Sequence, residues 1–320
     1  MGGRKNKTAI PAPKTPIAAQ PPKGILELDR FTEASIEKWN EISADLDELN
    51  DVLHFSLEPE RRRRRGQLIR ALQQIQPKPY ALDNWVRIVD HRWTLEPLSA
   101  AGSLTYVGGR FNAGTELDRN TLDAWPALYI AQDHPTAYRE KYQLQAGQTV
   151  TGLTAEELNL SAGQSHTTVF LKGQLARVFE MTPDNLGPVA RVLASIKMPS
   201  RAESLKKDLG IAPHDLQMIK NGKQLYTLVT ELNWRVLPVQ FGLPSQSHIV
   251  GELIRAAGYE AIAYPSSKGG GTCLAIFVDQ LIGGSFIRLA DAAPPGAIEI
   301  LNENTAEVLA GWASLGLRPT

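Results

Sequence analysis

Glu260-Ala261-Ile262-Ala263-Tyr264, then Pro265-Ser266-Ser267-Lys268 and Gly269-Gly270-Gly271, then Cys273-Leu274-Ala275-Ile276-Phe277-Val278 is the stretch that decides the fold. Each apolar run suits a strand, and the polar, glycine-rich segment between them suits a loop. Ahead of this unit, Gln246 to Ala257 has helical spacing and stops at Gly258, a residue suited to the left-handed end of a helix. No glycine-rich dinucleotide fingerprint opens a strand, helix, strand unit in the chain.

Working outward, the same grammar recurs. Ala127 to Ala131 reads as a short buried strand, and Asp133 or His134 followed by Pro135 reads as a helix start that places Glu140 in the second turn. Further upstream lies Gly108-Gly109-Arg110-Phe111-Asn112, and before it Trp85 to Val89, a strand interrupted by the charge of Arg87. The region between carries short strands at Thr167 to Leu171 and Ala176 to Glu180, a helix at Leu186 to Ile196 and a charged segment at Arg201 to Lys207. Many strands, partly joined by short loops and flanked by a few helices, predict an α+β domain.

The ends differ from this centre. Residues 1–24 are rich in Pro, Lys and Ala, contain no acid, and offer little apolar surface, which predicts a disordered tail. Residues 25–79 read as a helical extension. An acidic amphipathic helix with Ile36, Trp39, Ile42, Leu46, Leu49 and Leu53 on one stripe is broken at Pro59 and followed by a helix opening on Arg61 to Arg65. Residues 25–60 hold eleven acids against Arg30 and Lys38, so the two helices are expected to neutralise each other in a hairpin or to form a docking surface. The arginine run lacks interleaved aromatic residues, so direct nucleic-acid binding is not expected. The main domain is placed at residues 80–290, and residues 291–320 read as a linker and one short helix.

Composition narrows the class. With 34 basic and 34 acidic residues, the whole chain has no bias toward polyanions. Cys273 is the only cysteine, so no disulfide forms within the chain and a reducing cytoplasm is the expected location. No run of about 18 apolar residues occurs, so no membrane span is expected. The six histidines are scattered without metal-ligand spacing, and no metal is expected. Ser266 to Gly271 lacks the order of a nucleotide-triphosphate loop.

What remains is a set of residues with compatible chemistry. An arginine on a glycine turn, a tyrosine in an apolar strand and a carboxylate early in a helix can hold a phosphate-bearing ligand beside a cleavable bond. Singly, each has an ordinary role. Glu140 in Tyr138-Arg139-Glu140-Lys141 reads as solvated helix charge, Tyr129 as core, Ser266 as a turn residue, Arg110 and Arg87 as ion-pair partners.

In order, however, Arg87, Gly-Gly-Arg110-Phe-Asn, Tyr129, Glu140 and Tyr-Pro-Ser266 before a glycine-rich loop resemble the RES-domain family, over about residues 85–284. Phe111 stands where the family usually has tryptophan, Thr272-Cys273 where its closing strand often has asparagine, and the segment from Glu140 to Ser266 is long. The resemblance implies a mixed-sheet core akin to ADP-ribosyltransferases, NAD as substrate with no further cofactor, and the toxin of a toxin–antitoxin pair. A cognate antitoxin is then the implied partner, and self-association stays open.

On that reading Glu140 stabilises positive charge on the ribose as nicotinamide leaves, and Ser266 orients the carboxylate or a ribose hydroxyl. Arg110, with Arg87, binds the diphosphate. Gly108 and Gly109 allow close approach of the backbone, Tyr129 stacks on a ring or donates its hydroxyl, and Asn112 belongs to the same substrate-binding motif. Water or phosphate is the expected acceptor. Transfer of ADP-ribose to a protein is the alternative, and a non-catalytic protein working through the N-terminal charged helices is the alternative of another class.

Overall fold

The computed structural model describes residues 33–144, 166–213, 216–230 and 234–317, with the backbone alone for 33–40. The tail expected at residues 1–24 lies outside the described residues.

The two expected N-terminal helices are one. Helix α1 (Glu33–Gln73) runs for 41 residues straight through Pro59. A proline inside a helix costs about 3 kcal/mol. Two effects offset it. Glu58 accepts from Arg61 and Arg62 across the proline, and Glu60 from Arg63 and Arg64 in the turn after it, each pair worth about 0.2–0.5 kcal/mol. The larger effect is burial of Leu68 and Leu72, about 1.5–3 kcal/mol each. The basic run is therefore neutralised along its own helix and, through Arg65 to Glu252, against the main body, not across a hairpin.

Among the described residues seven strands build the sheet: β1 (Lys78–Asp90), β4 (Ala127–Ala131), β5 (His166–Glu180), β6 (Ala261–Pro265), β7 (Thr272–Phe277), β8 (Phe286–Leu289) and β9 (Ile300–Leu301). Their order is β1-β4-β7-β6-β5-β8-β9, and a further antiparallel pairing of β1 with β5 closes the first five into a ring. Among the described strands only β5 and β6 run parallel. A separate pair, β2 (Gly108–Gly109) and β3 (Asn112–Ala113), forms the glycine-arginine hairpin. The strands expected at 167–171 and 176–180 are one, because Gly173 has ladder partners on both sides, Leu82 of β1 and Ile287 of β8.

The other α-helices among the described residues are α2 (His134–Tyr142), α3 (Pro183–Leu193), α4 (Ser200–Asp208), α5 (Gly222–Thr230), α6 (Val236–Phe241), α7 (Gln246–Ala256) and α8 (Ala306–Leu309). Residues alternate along β6 and β7 between two cores. Ile262 and Ala275 join Leu68, Phe179, Tyr259 and Phe277 under the α1, α3 and α7 layer. Ala263, Leu274 and Ile276 join Trp85, Leu171 and Leu301 on the other side. With both faces covered, these strands read as unbroken apolar runs. The expected C-terminal linker instead adds β9 to β8 and buries Leu301, Leu309 and Ala310; a two-residue strand is too short to leave a periodic signal. Glu260, fully buried, accepts from the Ala176, Arg177 and Ile282 amides and the Ser285 hydroxyl, which ties β5 to the turn before β8.

The fold is α+β. Among the described residues no helix is long and apolar enough to cross a membrane.

Candidate active site

The β2–β3 hairpin rests on Tyr129 of β4. A Cβ on Gly109 would lie 2.4 Å from the Tyr129 hydroxyl, so only glycine lets the backbone settle there. Beneath it, the Tyr129 hydroxyl accepts from the Phe111 N–H and donates to Asn112 Oδ1, both at 2.9 Å. Asn112 Oδ1 also accepts from the Gly109 N–H, and its Nδ2 donates to the Ser103 and Trp125 carbonyls. Burial raises the Tyr129 phenol far above its ordinary range.

Two sequence expectations change here. Asn112 is fully buried behind the hairpin with its polar atoms committed, so it shapes the turn and does not face the cleft. The Tyr129 hydroxyl proton is likewise used internally, although its ring lines the cleft.

Glu140 is delivered by α2. Asp133 caps that helix by accepting from the Thr136 N–H at 2.8 Å, and Pro135 stands in the first turn. The loop between β6 and β7 then folds against the start of α2. Gly271 has φ of +77°, and a Cβ there would come within 2.1 Å of Thr136 Oγ1. This docking brings the Ser266 hydroxyl 2.6 Å from Glu140 Oε1, to which it donates, while the Lys268 N–H donates to Ser266 Oγ at 3.1 Å. The glycine loop is thus a fitted joint, not the loose connection its composition suggests.

Arginines line the same cleft. Arg110 reaches Ser267 Oγ and the Val229 carbonyl, each at 3.4 Å, and its guanidinium lies 5.9 Å from the Trp234 ring. Arg235 stacks on that indole at 4.6 Å. Desolvation and the neighbouring positive charge of Arg110 lower the Arg235 pKa, an effect opposed by Tyr129 and Glu140. Arg87 donates to the Pro97 and Ser99 carbonyls at 2.9 and 2.8 Å, and burial brings its pKa down to about 10.

Arg87, Arg110, Tyr129, Glu140, Trp234 and Arg235 surround one cleft of about 220 Å³. Ser266 joins through its bond to Glu140; Gly108 sits in the hairpin behind the lining. A larger cavity of about 400 Å³ among α1, α3, α5 and α7 is lined mostly by Leu, Ile, Val and Met and holds none of these residues, so the chemistry belongs to the smaller one. Trp234 and Arg235 escaped the sequence reading. An aromatic residue next to an arginine was their only local signal.

The family described as RES domain matches residues 84–284. Among solved structures, the chain is similar to the crystal structure of the M. tuberculosis MbcT-MbcA toxin-antitoxin complex, with 14% identity over 77% of this chain and 97% of that chain and a TM-score of 0.39. No curated protein sequence matches.

Proposed function

This chain belongs to the RES domain family, and from that membership together with the cleft we propose that it binds NAD and cleaves the bond between nicotinamide and ribose. The observation that carries the reading is the hydrogen bond of Ser266 to Glu140 in a cleft that Arg110 and Arg235 also line.

The groups divide the work. Two guanidiniums near one another repel, and a diphosphate between them relieves that repulsion through charge-assisted hydrogen bonds. The Trp234 ring, 4.6 Å from the Arg235 guanidinium, holds that planar fork of donors beside the cleft. Arg87, tied to two carbonyls, holds a cationic wall behind the ligand.

At the other end, the C–N bond breaks and its electron pair leaves with nicotinamide, which departs neutral. The ribose carbon is left oxocarbenium-like. The Glu140 carboxylate faces that charge, with Oε1 held by the Ser266 hydroxyl and Oε2 left for the ligand. Water adds to the carbon and gives up a proton, yielding ADP-ribose; phosphate in its place yields the phosphorylated sugar. Preorganised charge of this kind is worth on the order of 10²- to 10³-fold in rate.

Such an activity is harmful to the cell that makes it. The reading therefore includes a toxin role in the cytoplasm, where NAD is plentiful, and a protein antitoxin that covers the cleft. The buried free thiol of Cys273 suits a reducing compartment. The test is mass spectrometry of purified protein incubated with NAD. Free nicotinamide with ADP-ribose or its phosphate supports the proposal. A modified protein points to ADP-ribosyl transfer through the same groups, and intact NAD refutes the enzyme reading in favour of a binding protein.

A further inference from the structure

We propose that His248, which does not line the cleft, is the positioning residue for the arginine turn, holding the Gly109 carbonyl and backing the Trp234 indole so that Arg110 and Arg235 converge. The consequence for catalysis rests on the NAD reading above; the positioning itself does not.

His248 lies in the first turn of α7 and is fully buried. Both ring nitrogens are used, and the partners fix which one carries the proton. Nδ1 meets the backbone N–H of Ser245 at 3.2 Å, and an N–H can only donate. Nδ1 is therefore the bare acceptor. Nε2 meets the Gly109 carbonyl at 2.8 Å, and a carbonyl can only accept, so Nε2 bears the hydrogen. Desolvation supports the neutral ring by bringing the pKa down to about 4.

The first bond, with the Ser245 hydroxyl accepting from the His248 N–H at 3.3 Å, makes a capping box for α7. Glu or Gln normally completes this motif, and acceptance is all the cap requires. Histidine adds a rigid donor on the far side of the ring. That donor reaches 139 residues back along the chain to the residue before Arg110. The same ring meets Trp234 edge-on, at 5.2 Å and 79°. One turn later Gly251 presses on the Phe111 carbonyl, where a Cβ would come within 2.4 Å of the oxygen. Helix α7 is thus the bed on which residues 109–111 lie, and His248 is its only side chain that bonds both the cap and the turn among the hydrogen bonds described. A misplacement of about 1 Å at a binding group costs on the order of a hundredfold in rate.

Two substitutions separate the jobs. His248→Asn retains an acceptor near the Nδ1 position and keeps the cap, but does not reach Gly109. His248→Gln places an amide donor near the Nε2 position. We expect His248→Asn to raise amide hydrogen exchange at residues 108–112 and to raise the KM for NAD tenfold to a hundredfold with a smaller change in kcat, and His248→Gln to restore most of both. Unchanged exchange in His248→Asn, or equal impairment in the two variants, would overturn the proposal. If wild-type protein leaves NAD intact, the enzyme reading fails while the exchange comparison still decides the role of His248. Should the Asn variant not fold, nitrogen NMR of the wild-type histidine serves. A neutral ring protonated on Nε2 supports the assignment, and the opposite tautomer or a charged ring at neutral pH contradicts it.

Discussion

The Ser266 hydroxyl donates to Glu140 Oε1 at 2.6 Å across 126 residues of sequence. Neither residue is distinctive alone. Their contact requires that α2 and the β6–β7 loop dock, and that docking depends on Gly271 fitting against Thr136.

Ser266→Ala leaves the Glu140 carboxylate free to turn. We expect kcat for NAD cleavage to fall on the order of tenfold to a hundredfold, with KM little changed, and Glu140→Gln to cost on the order of 10²- to 10³-fold. Because the two act as one unit, the double variant should be no worse than Glu140→Gln alone. Additive losses in steady-state kinetics would show that Ser266 works independently.

Binding through the arginines should separate from chemistry. Arg110→Lys and Arg235→Ala each keep the carboxylate site intact while removing a planar fork, so the KM for NAD is expected to rise about tenfold or more with kcat nearly preserved. Titration calorimetry with ADP-ribose offers a direct check, since it carries the diphosphate without the scissile bond. Unaltered affinity in both variants would place the diphosphate elsewhere.

Gly109→Ala tests the seat of the hairpin. The added methyl overlaps the Tyr129 ring as well as its hydroxyl, so Tyr129→Phe should not rescue it. Overpacking of this type costs about 1–3 kcal/mol. Tyr129→Phe alone strands the Phe111 N–H and one bond to Asn112, which costs about 1–3 kcal/mol for a buried group left unmade. Urea denaturation of the three variants measures both effects.

Acid should weaken the fold through His248. Its pKa in the native protein is depressed to about 4 from an ordinary 6.5, so between these values the unfolded chain binds a proton that the native state does not. Stability from this group is full above pH 6.5 and is lost as pH falls toward 4, a span worth about 3 kcal/mol. Comparing the wild-type protein with His248→Gln by urea denaturation at pH 7.5 and pH 5 isolates the contribution. An identical slope in the two proteins would assign the acid sensitivity to other groups.

Local order was legible wherever the signal was local. The strands at 127–131, 261–265 and 272–277 and the helices capped by Asp133 and ended before Gly258 follow from short apolar runs bounded by proline, glycine or a capping acid. Pro59 misled, because a proline is a breaker only until ion pairs and buried leucines outweigh its cost. The 173 region misled in the same way, since a glycine weakens an isolated strand but not one paired on both edges.

By itself the sequence determined the α+β class, the order of Arg87, Arg110, Tyr129, Glu140 and Ser266, and their resemblance to the RES family, because these reside in nearest neighbours and in linear order. Only the tertiary structure decided which of them meet. It turned Asn112 away from the cleft, joined Ser266 to Glu140, and brought in Trp234, Arg235 and His248. A side chain's role is set by the partners that surround it, and here those partners arrive from strands and helices more than a hundred residues apart, through sheet pairing and helix packing that no local pattern encodes.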